Sequence, residues 1–421
     1  MRASLVTPQR GARLVDDAIL AALARGVTQF ESLLAALPGI YPSVALNALR
    51  RLVSQGQVPR DMWVQAVQHV SQRRPHDTRA CHHMAMPIPH PLDYDWRFSE
   101  VATQALLAQC LDLTRPSDTV ALLGTPSVLK AAVTGRIPRQ WILLDTNPLM
   151  TTWLTHAAPD ARVLQWDVRQ DPLPDLVAEL VIVDPPWYED YMRAFLWAAC
   201  QLSALGGYLL VSVPPVGTRP GMVQEWARTL AWAQQLGLTL LREELAALPY
   251  VTPPFERNAL QAEGLYMISE DWRRGNLAVF VRTQLAHVLR PQPVDDAVWA
   301  EEVLLGMRVR IRPQPAGGFQ DPTLKPLVPG DVLPSVSRRD PRRRLADVWT
   351  SGNRIFACLG RHVLRQIVPA IAGGRAPAEA VAAGLQRPLH PEEQRLVTRA
   401  AHQLLRIARH EQHENMRFEE G

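Results

Sequence analysis

The chain has 421 residues, 47% of them hydrophobic and 20% charged; this excludes global disorder and points to two or three packed domains. A formal charge of +4 permits a nucleic-acid partner without requiring one. Four cysteines with no CxxC pair exclude a disulfide framework and a zinc ribbon. The opening residues lack a signal-peptide core, and no apolar run reaches the about 20 residues that cross a bilayer, so a cytoplasmic protein without a membrane partner is expected.

Residues 1–60 are expected to form a winged-helix-like domain. Ile19, Leu20, Leu23 and Ala24 share one helical face, and Gly26 stops that helix. Thr28 is placed to cap the next one, with Glu31 completing a capping box. Ser43 is placed to cap a third helix, along which Val44, Ala45, Ala48, Leu49 and Leu52 recur, and Gln55-Gly56-Gln57 suits a short wing. Such a unit either reads DNA through its third helix, with Asn47, Arg50 and Arg51 exposed, or packs and self-associates into a homodimer. Its few positive charges favour packing. Residues 61–91 read as a linker in which Cys81, His82, His83 and His90 match no zinc spacing.

Residues 92–285 carry the pattern of an α/β domain. Short apolar runs at 119–123, 141–144, 163–166, 180–183 and 208–213 read as buried strands, with helical stretches at 127–133, 148–156 and 191–202. A late strand follows at 277–282. Near-continuous apolar strands alternating with helices indicate a parallel sheet covered on both faces.

Residues 286–421 are expected to form an Arg/Pro-rich segment and a C-terminal helical region, with helices at 352–371, 376–385 and 391–413. Arg308, Arg310 and Arg312 alternate as on an exposed strand face. Arg338, Arg339, Arg342, Arg343 and Arg344 form the densest basic cluster. Both groups suit phosphate contacts or a solvated surface.

Asp184-Pro185-Pro186-Trp187 directly follows the run at 180–183, where an open parallel sheet places its ligands. The prolines stiffen the turn. Asp184 offers a carboxylate, and Trp187 offers a flat surface. This set suits methyl transfer to an exocyclic amine. Hydrogen bonds from the amine to Asp184 and to the Pro185 carbonyl would localise the nitrogen lone pair. Stacking on Trp187 is worth roughly 1–3 kcal/mol per base. Asp184 or water would take the released proton.

The tetrapeptide resembles the fourth motif (DPPW, DPPY or DPPF) of DNA and RNA adenine N6 methyltransferases. The chain accordingly resembles class I S-adenosylmethionine (SAM)-dependent methyltransferases. The resemblance implies a Rossmann-like SAM-dependent methyltransferase domain, SAM as cofactor and a nucleic-acid acceptor. On the same sheet, Gly124, Thr125 and Pro126 close the first strand, where a backbone turn and a helix N-terminus approach a ligand. Asp145 is placed for the ribose hydroxyls, Trp166 and Asp167 for the cofactor adenine, and Asp184 for the cofactor as well as the acceptor. Trp96 and Phe98 lie in a segment similar to the aromatic-plus-serine cover of some amine methyltransferases. With Tyr188, Phe255 and Arg257 they are candidate acceptor contacts.

The order of parts is also similar to branched-chain polyamine synthases. "TVALLGTPSVLKAAVTG", "WILLDTNP", "WDVRQDPLPD" and "VIVDPPWYEDYMRAF" carry that likeness over residues 15–215. Where that family has an acidic GDDD loop and DPPE, this chain has Thr125-Pro126-Ser127 and Trp187. Loss of acids and gain of an aromatic favour a flat, uncharged acceptor, while Glu189 and Asp190 keep a polyamine partner in play. The alternatives are therefore aminopropyl transfer to a polyamine and a non-catalytic regulatory subunit.

Overall fold

A computed structural model describes residues 8–61, 86–266, 268–269, 271–292 and 297–419. They fall into two compact units, one drawn from 1–72, 96–252 and 267–294, the other from 73–95, 253–266 and 295–421.

The first unit opens on helices α1 (Pro8–Ala24), α2 (Phe30–Ala35) and α3 (Pro42–Ser54). Ile19, Phe30, Leu33, Ala45, Leu49 and Leu52 are buried, as their helical spacing predicts. The expected caps do not form. Gln29 and Tyr41 hold the cap positions without side-chain hydrogen bonds, because the fixed φ of Pro42 starts α3 one residue before Ser43 could cap it. Arg51 is turned to Asp16 at 2.6 Å. Among the described residues no wing strand follows α3.

The rest of this unit is an eight-stranded sheet of order β1-β7-β8-β6-β5-β2-β3-β4. Its strands are β1 (Arg97–Phe98), β2 (Thr119–Leu123), β3 (Gln140–Asp145), β4 (Arg162–Gln165), β5 (Ala178–Val183), β6 (Ser203–Val213), β7 (Leu238–Val251) and β8 (Arg274–Arg282). Strands β4, β3, β2, β5 and β6 run parallel. Strand β8 is antiparallel to β6 and to β7, and β1 pairs with the end of β7. Between the strands run α4 (Glu100–Leu113), α5 (Pro126–Thr134), α6 (Pro148–Ala157), α7 (Glu189–Leu202) and α8 (Met222–Gln235). Residues 120–123 of β2 and 180–183 of β5 are buried irrespective of the face they point to, which is why these stretches are unbroken apolar runs. Ala121, Leu123, Val181 and Val183 pack with Leu196 and Ala199 of α7. Chain order runs from β2 through β3 to β4 on one side and from β5 to β6 on the other. The switch in chain order falls between β2 and β5, the place where open α/β sheets bind ligands at the carboxyl ends of their strands.

The second unit adds an antiparallel sheet to the expected Arg/Pro-rich segment and C-terminal helical region. It holds α9 (Pro254–Ala262) and an antiparallel sheet of β9 (Ala300–Leu304), β10 (Met307–Ile311), β11 (Lys325–Pro326), β12 (Val348–Thr350) and β13 (Ile355–Ala357), in the order β11-β13-β12-β10-β9. Helices α10 (Arg361–Ala372), α11 (Pro377–Leu385) and α12 (Pro391–Glu419) follow. The helix expected at 352–371 starts only at Arg361. Its first residues instead turn β12 into β13, with Asn353 left-handed at φ 64° and its amide donating to the Leu333 carbonyl at 2.6 Å.

The alternating arginines of β10 do not face solvent. Arg308 is 1% exposed and reaches Asp93 at 2.5 Å; Glu301 binds it too, and Arg310 grips the same two carboxylates. Arg312 lies over Trp299 and donates to the Arg343 carbonyl, while Arg343 itself is buried over Trp349. Arg342 is held by Asp340 at 2.6 Å. His90, assigned to the linker, is buried with Nε2 at 3.2 Å from the Trp349 carbonyl. Cys81, His82 and His83 lie outside the described residues. Among the described residues no His/Cys/Asp/Glu group could hold a metal ion, and no helix is long and apolar enough to cross a membrane.

Candidate active site

The carboxyl ends of the paired strands β2 and β5 lie side by side at the switch. Gly124, just after β2, has φ +66°, a conformation open to glycine and strained for other residues. A Cβ there would stand 3.4 Å from the Asp184 carbonyl, so the first turn and the DPPW turn are pressed together. The Asp184 N–H donates to the Leu123 carbonyl at 3.1 Å. Thr125 then leads into α5, with Pro126 in the first turn, where its missing N–H costs nothing. Thr125 is buried, and its hydroxyl has no hydrogen-bond partner among the described residues. A buried donor left unpaired costs about 1–3 kcal/mol, so a ligand oxygen at this turn would satisfy a standing deficit.

Asp184 does not stand alone. The Tyr250 hydroxyl, at the end of β7, donates to its Oδ1 at 2.6 Å and lies 2.5 Å from Ser212 Oγ. Ser212 in turn accepts from Trp187 Nε1 at 3.3 Å. Burial pushes the Tyr250 phenol well above the usual tyrosine range, and the Asp184 carboxylate adds to the push. The phenol therefore stays protonated, and its proton is directed at Asp184.

Aromatic rings close around this pair. Phe98 in β1 is registered opposite Tyr250, with ring centroids 4.9 Å apart. Trp96 and Trp187 both meet Tyr250 edge-on, at 6.3 and 5.6 Å. Gly275 makes room for the indole of Trp187, since a Cβ there would fall 2.9 Å from its Cζ2. The expected stacking face of Trp187 is not open. The indole is 6% exposed, and the Arg273 guanidinium lies between Trp187 and Trp96, at 4.3 and 4.1 Å from the ring centroids. Tyr188 is half-buried beneath Arg219, at 5.8 Å.

Other expected site residues divide. Asp145 ends β3 as placed and accepts from the Asn147 N–H at 2.8 Å, which orients it at the start of α6. Asp167 follows β4, but both of its oxygens accept from Arg169, at 3.1 and 3.0 Å, and one also accepts from Gln170. Trp166 belongs to the core, its Nε1 bound to the Pro172 carbonyl at 2.8 Å. A role for these two in holding the cofactor adenine is not supported. Phe255 and Arg257 lie in α9, which belongs to the second unit, and Phe255 is fully buried there. Of the DPPW set, Pro185 is buried and Pro186 half-buried. Tyr250, Ser212, Arg273 and Gly275 are the residues that motif reading did not select. Tyr250 alone had a signal, as the aromatic that opens the segment before Pro253-Pro254.

No known protein family matches the sequence, and no curated protein does. Solved structures do. The C9 mutein of the branched-chain polyamine synthase from Thermus thermophilus, in complex with N4-aminopropylspermidine and 5'-methylthioadenosine, matches with a TM-score of 0.51 at 15% identity, over 68% of this chain and 94% of that one. The branched-chain polyamine synthase itself, in the same complex, gives 0.49 at 16% identity over 67% and 91%. A TehB-like SAM-dependent methyltransferase from Corynebacterium glutamicum gives 0.32 at 13% over 44% and 89%. The first of these likenesses establishes the fold: the chain is an α/β protein with a Rossmann-like sheet. Chemistry has to be argued from the side chains.

Proposed function

We propose that the first unit is a SAM-dependent N-methyltransferase that modifies the exocyclic amine of adenine in nucleic acid. The carrying observation is Asp184, set at the switch of the sheet and aligned by the Tyr250 hydroxyl at 2.6 Å. The left-handed turn at Gly124, the unsatisfied Thr125 hydroxyl and Asp145 at the end of β3 suit a nucleoside cofactor with ribose hydroxyls to bind. SAM would supply an electrophilic methyl group there. Asp184 accepts an N–H of the acceptor amine, favours tetrahedral geometry at that nitrogen, and receives the proton released when the N–C bond forms. Tyr250, kept protonated, holds the carboxylate in one orientation. The acceptor base enters the slot between Trp96 and Trp187 by displacing the Arg273 guanidinium, which exchanges one planar partner for another.

Aminopropyl transfer to a polyamine has weaker support. A polycation needs unengaged carboxylates, yet Glu189 is bound by Arg228 at 2.7 Å and by Arg193 at 3.0 Å, and Arg273 adds a cation at the slot. The two readings separate when the protein is incubated with tritiated-methyl SAM, or with labelled decarboxylated SAM, and separate pools of DNA, RNA, protein and polyamines. Label from SAM in nucleic acid, lost in Asp184→Ala, is the expected result. Aminopropyl label in polyamines would overturn it, and no transfer from either donor would favour a regulatory subunit.

A further inference from the structure

Arg308, Arg310, Arg312, Arg342 and Arg343, prominent in the sequence, are spent inside the second unit, on Asp93, Glu301, Asp340 and carbonyl oxygens. A row of exposed cations lies elsewhere, on α12. This helix has 29 residues and spans about 43 Å. Val397, Ala400, Leu404, Ile407 and Ala408 bury one side of it. On the other side Arg395, Arg399, His402, Arg406 and Arg409 are exposed. Their spacings of four, three, four and three residues keep them within about 40° of one line and spread them over about 21 Å.

Among the described residues, the acids of this helix are turned away from that line or consumed. Glu411 is buried and Glu414 binds Arg354, while Glu393 binds Arg387. Glu392 approaches Arg395 at 3.2 Å, but at 70% and 78% exposure such a pair contributes little. Among the described residues no carboxylate pairs with Arg399, Arg406 or Arg409. Gln394, Thr398 and Gln403 flank the row, and Pro391 at its end is the one apolar residue among those lining the groove along it, so the groove holds no large apolar side chain as an anchor.

We propose that this face of α12 binds the phosphodiester backbone of double-helical DNA. A guanidinium matches a phosphate through two parallel N–H···O bonds. A rigid straight row of them suits a ligand whose phosphates are already fixed in space. A flexible single strand or acidic peptide would have to be ordered first. The absence of apolar residues on the line removes the anchor an anionic membrane would need. The inference extends the nucleic-acid reading given above but is tested without SAM or methyl transfer.

The probe is a fluorescently labelled 20-base-pair DNA duplex of arbitrary sequence, titrated with the full chain across a salt series. Wild type is expected to bind with a steep salt dependence. The Arg399→Gln/Arg406→Gln/Arg409→Gln variant should lose at least tenfold in affinity at low salt, and its log–log salt slope should fall by about 2.7, for three phosphate contacts. The corresponding triple Arg→Lys variant keeps the charge and should keep most of the slope. These residues are exposed, so far-ultraviolet circular dichroism should show an unchanged fold. Equal affinity and slope for wild type and the Gln variant would overturn the proposal. So would no binding of the duplex by wild type, or tighter binding of an RNA duplex, a single strand or anionic vesicles. Duplex binding without methyl transfer leaves this inference standing and defeats only the catalytic reading.

Discussion

Replacing Tyr250 by phenylalanine tests whether the Asp184 pair is a working site or a structural contact. The change removes one hydroxyl and with it two bonds, the 2.6 Å bond to Asp184 and the 2.5 Å bond to Ser212. A hydrogen bond to a charged group is worth about 1.5–3 kcal/mol. If that bond orients Asp184 in the transition state, turnover should fall about 10- to 150-fold, since about 1.4 kcal/mol is a factor of ten. SAM affinity should stay near wild type, because Gly124, Thr125 and Asp145 are untouched. The assay is tritiated-methyl incorporation into the nucleic-acid pool that wild type labels, alongside calorimetric titration of SAM. A double variant with Asp184→Asn should lose little beyond Asp184→Asn alone, since the two groups act as a unit. The phenol is held protonated, so Tyr250 contributes no alkaline limb to the rate profile. A folded Tyr250→Phe protein with wild-type turnover would refute the reasoning.

Three further outcomes are expected. Asp145→Ala should weaken SAM binding about tenfold in calorimetry while leaving acceptor-independent folding intact, consistent with one lost charged hydrogen bond. Arg308→Met should lower stability in urea unfolding, by less than the about 3–5 kcal/mol of a fully stranded buried charge, because Asp93 and Glu301 are half-buried and keep Arg310 as a partner. Glu411 is pushed up to about 7, chiefly by burial, and Arg354 with the Thr350 and Ser351 hydroxyls only partly opposes the rise. Its folded value lies above its unfolded one, so stability is greatest below about pH 4.5 for this group and falls by a few kcal/mol as pH climbs to 7; Glu411→Gln should flatten that slope.

What the sequence revealed follows the range over which each signal acts. The parallel strands were legible because burial of both faces writes itself as an unbroken local run: 119–123 became β2 residue for residue, and 180–183 lies within β5. Asp184 was legible because a strand end and the turn that uses it are neighbours in the chain. Alternation fared worse. It tells that Arg308 and Arg310 share one face of β10, but which face is wet depends on Asp93, more than 200 residues away, and on Glu301 across the β9–β10 turn. The apolar spacing after Gly352 was read as helix although Ser351-Gly352-Asn353 is turn chemistry, and the hairpin prevailed because Glu411 of α12 receives the Ser351 hydroxyl and the Gly352 N–H.

The slot at Arg273 had no local signature. Trp96, Trp187 and Arg273 come from three separate stretches, and only the antiparallel additions β1, β7 and β8 beside the parallel core bring them to one place. The parallel core supplies the Gly124 turn and Asp184. The antiparallel edge supplies Tyr250, which aligns the carboxylate, and carries Arg273, which fills the aromatic slot. On the function proposed above, cofactor binding rests on short motifs and acceptor choice on pairings that no short motif encodes. The fourth residue of the DPPW turn is thus fitted to an edge strand: Gly275 of β8 leaves the space that the Trp187 indole fills, and any larger residue there would displace it.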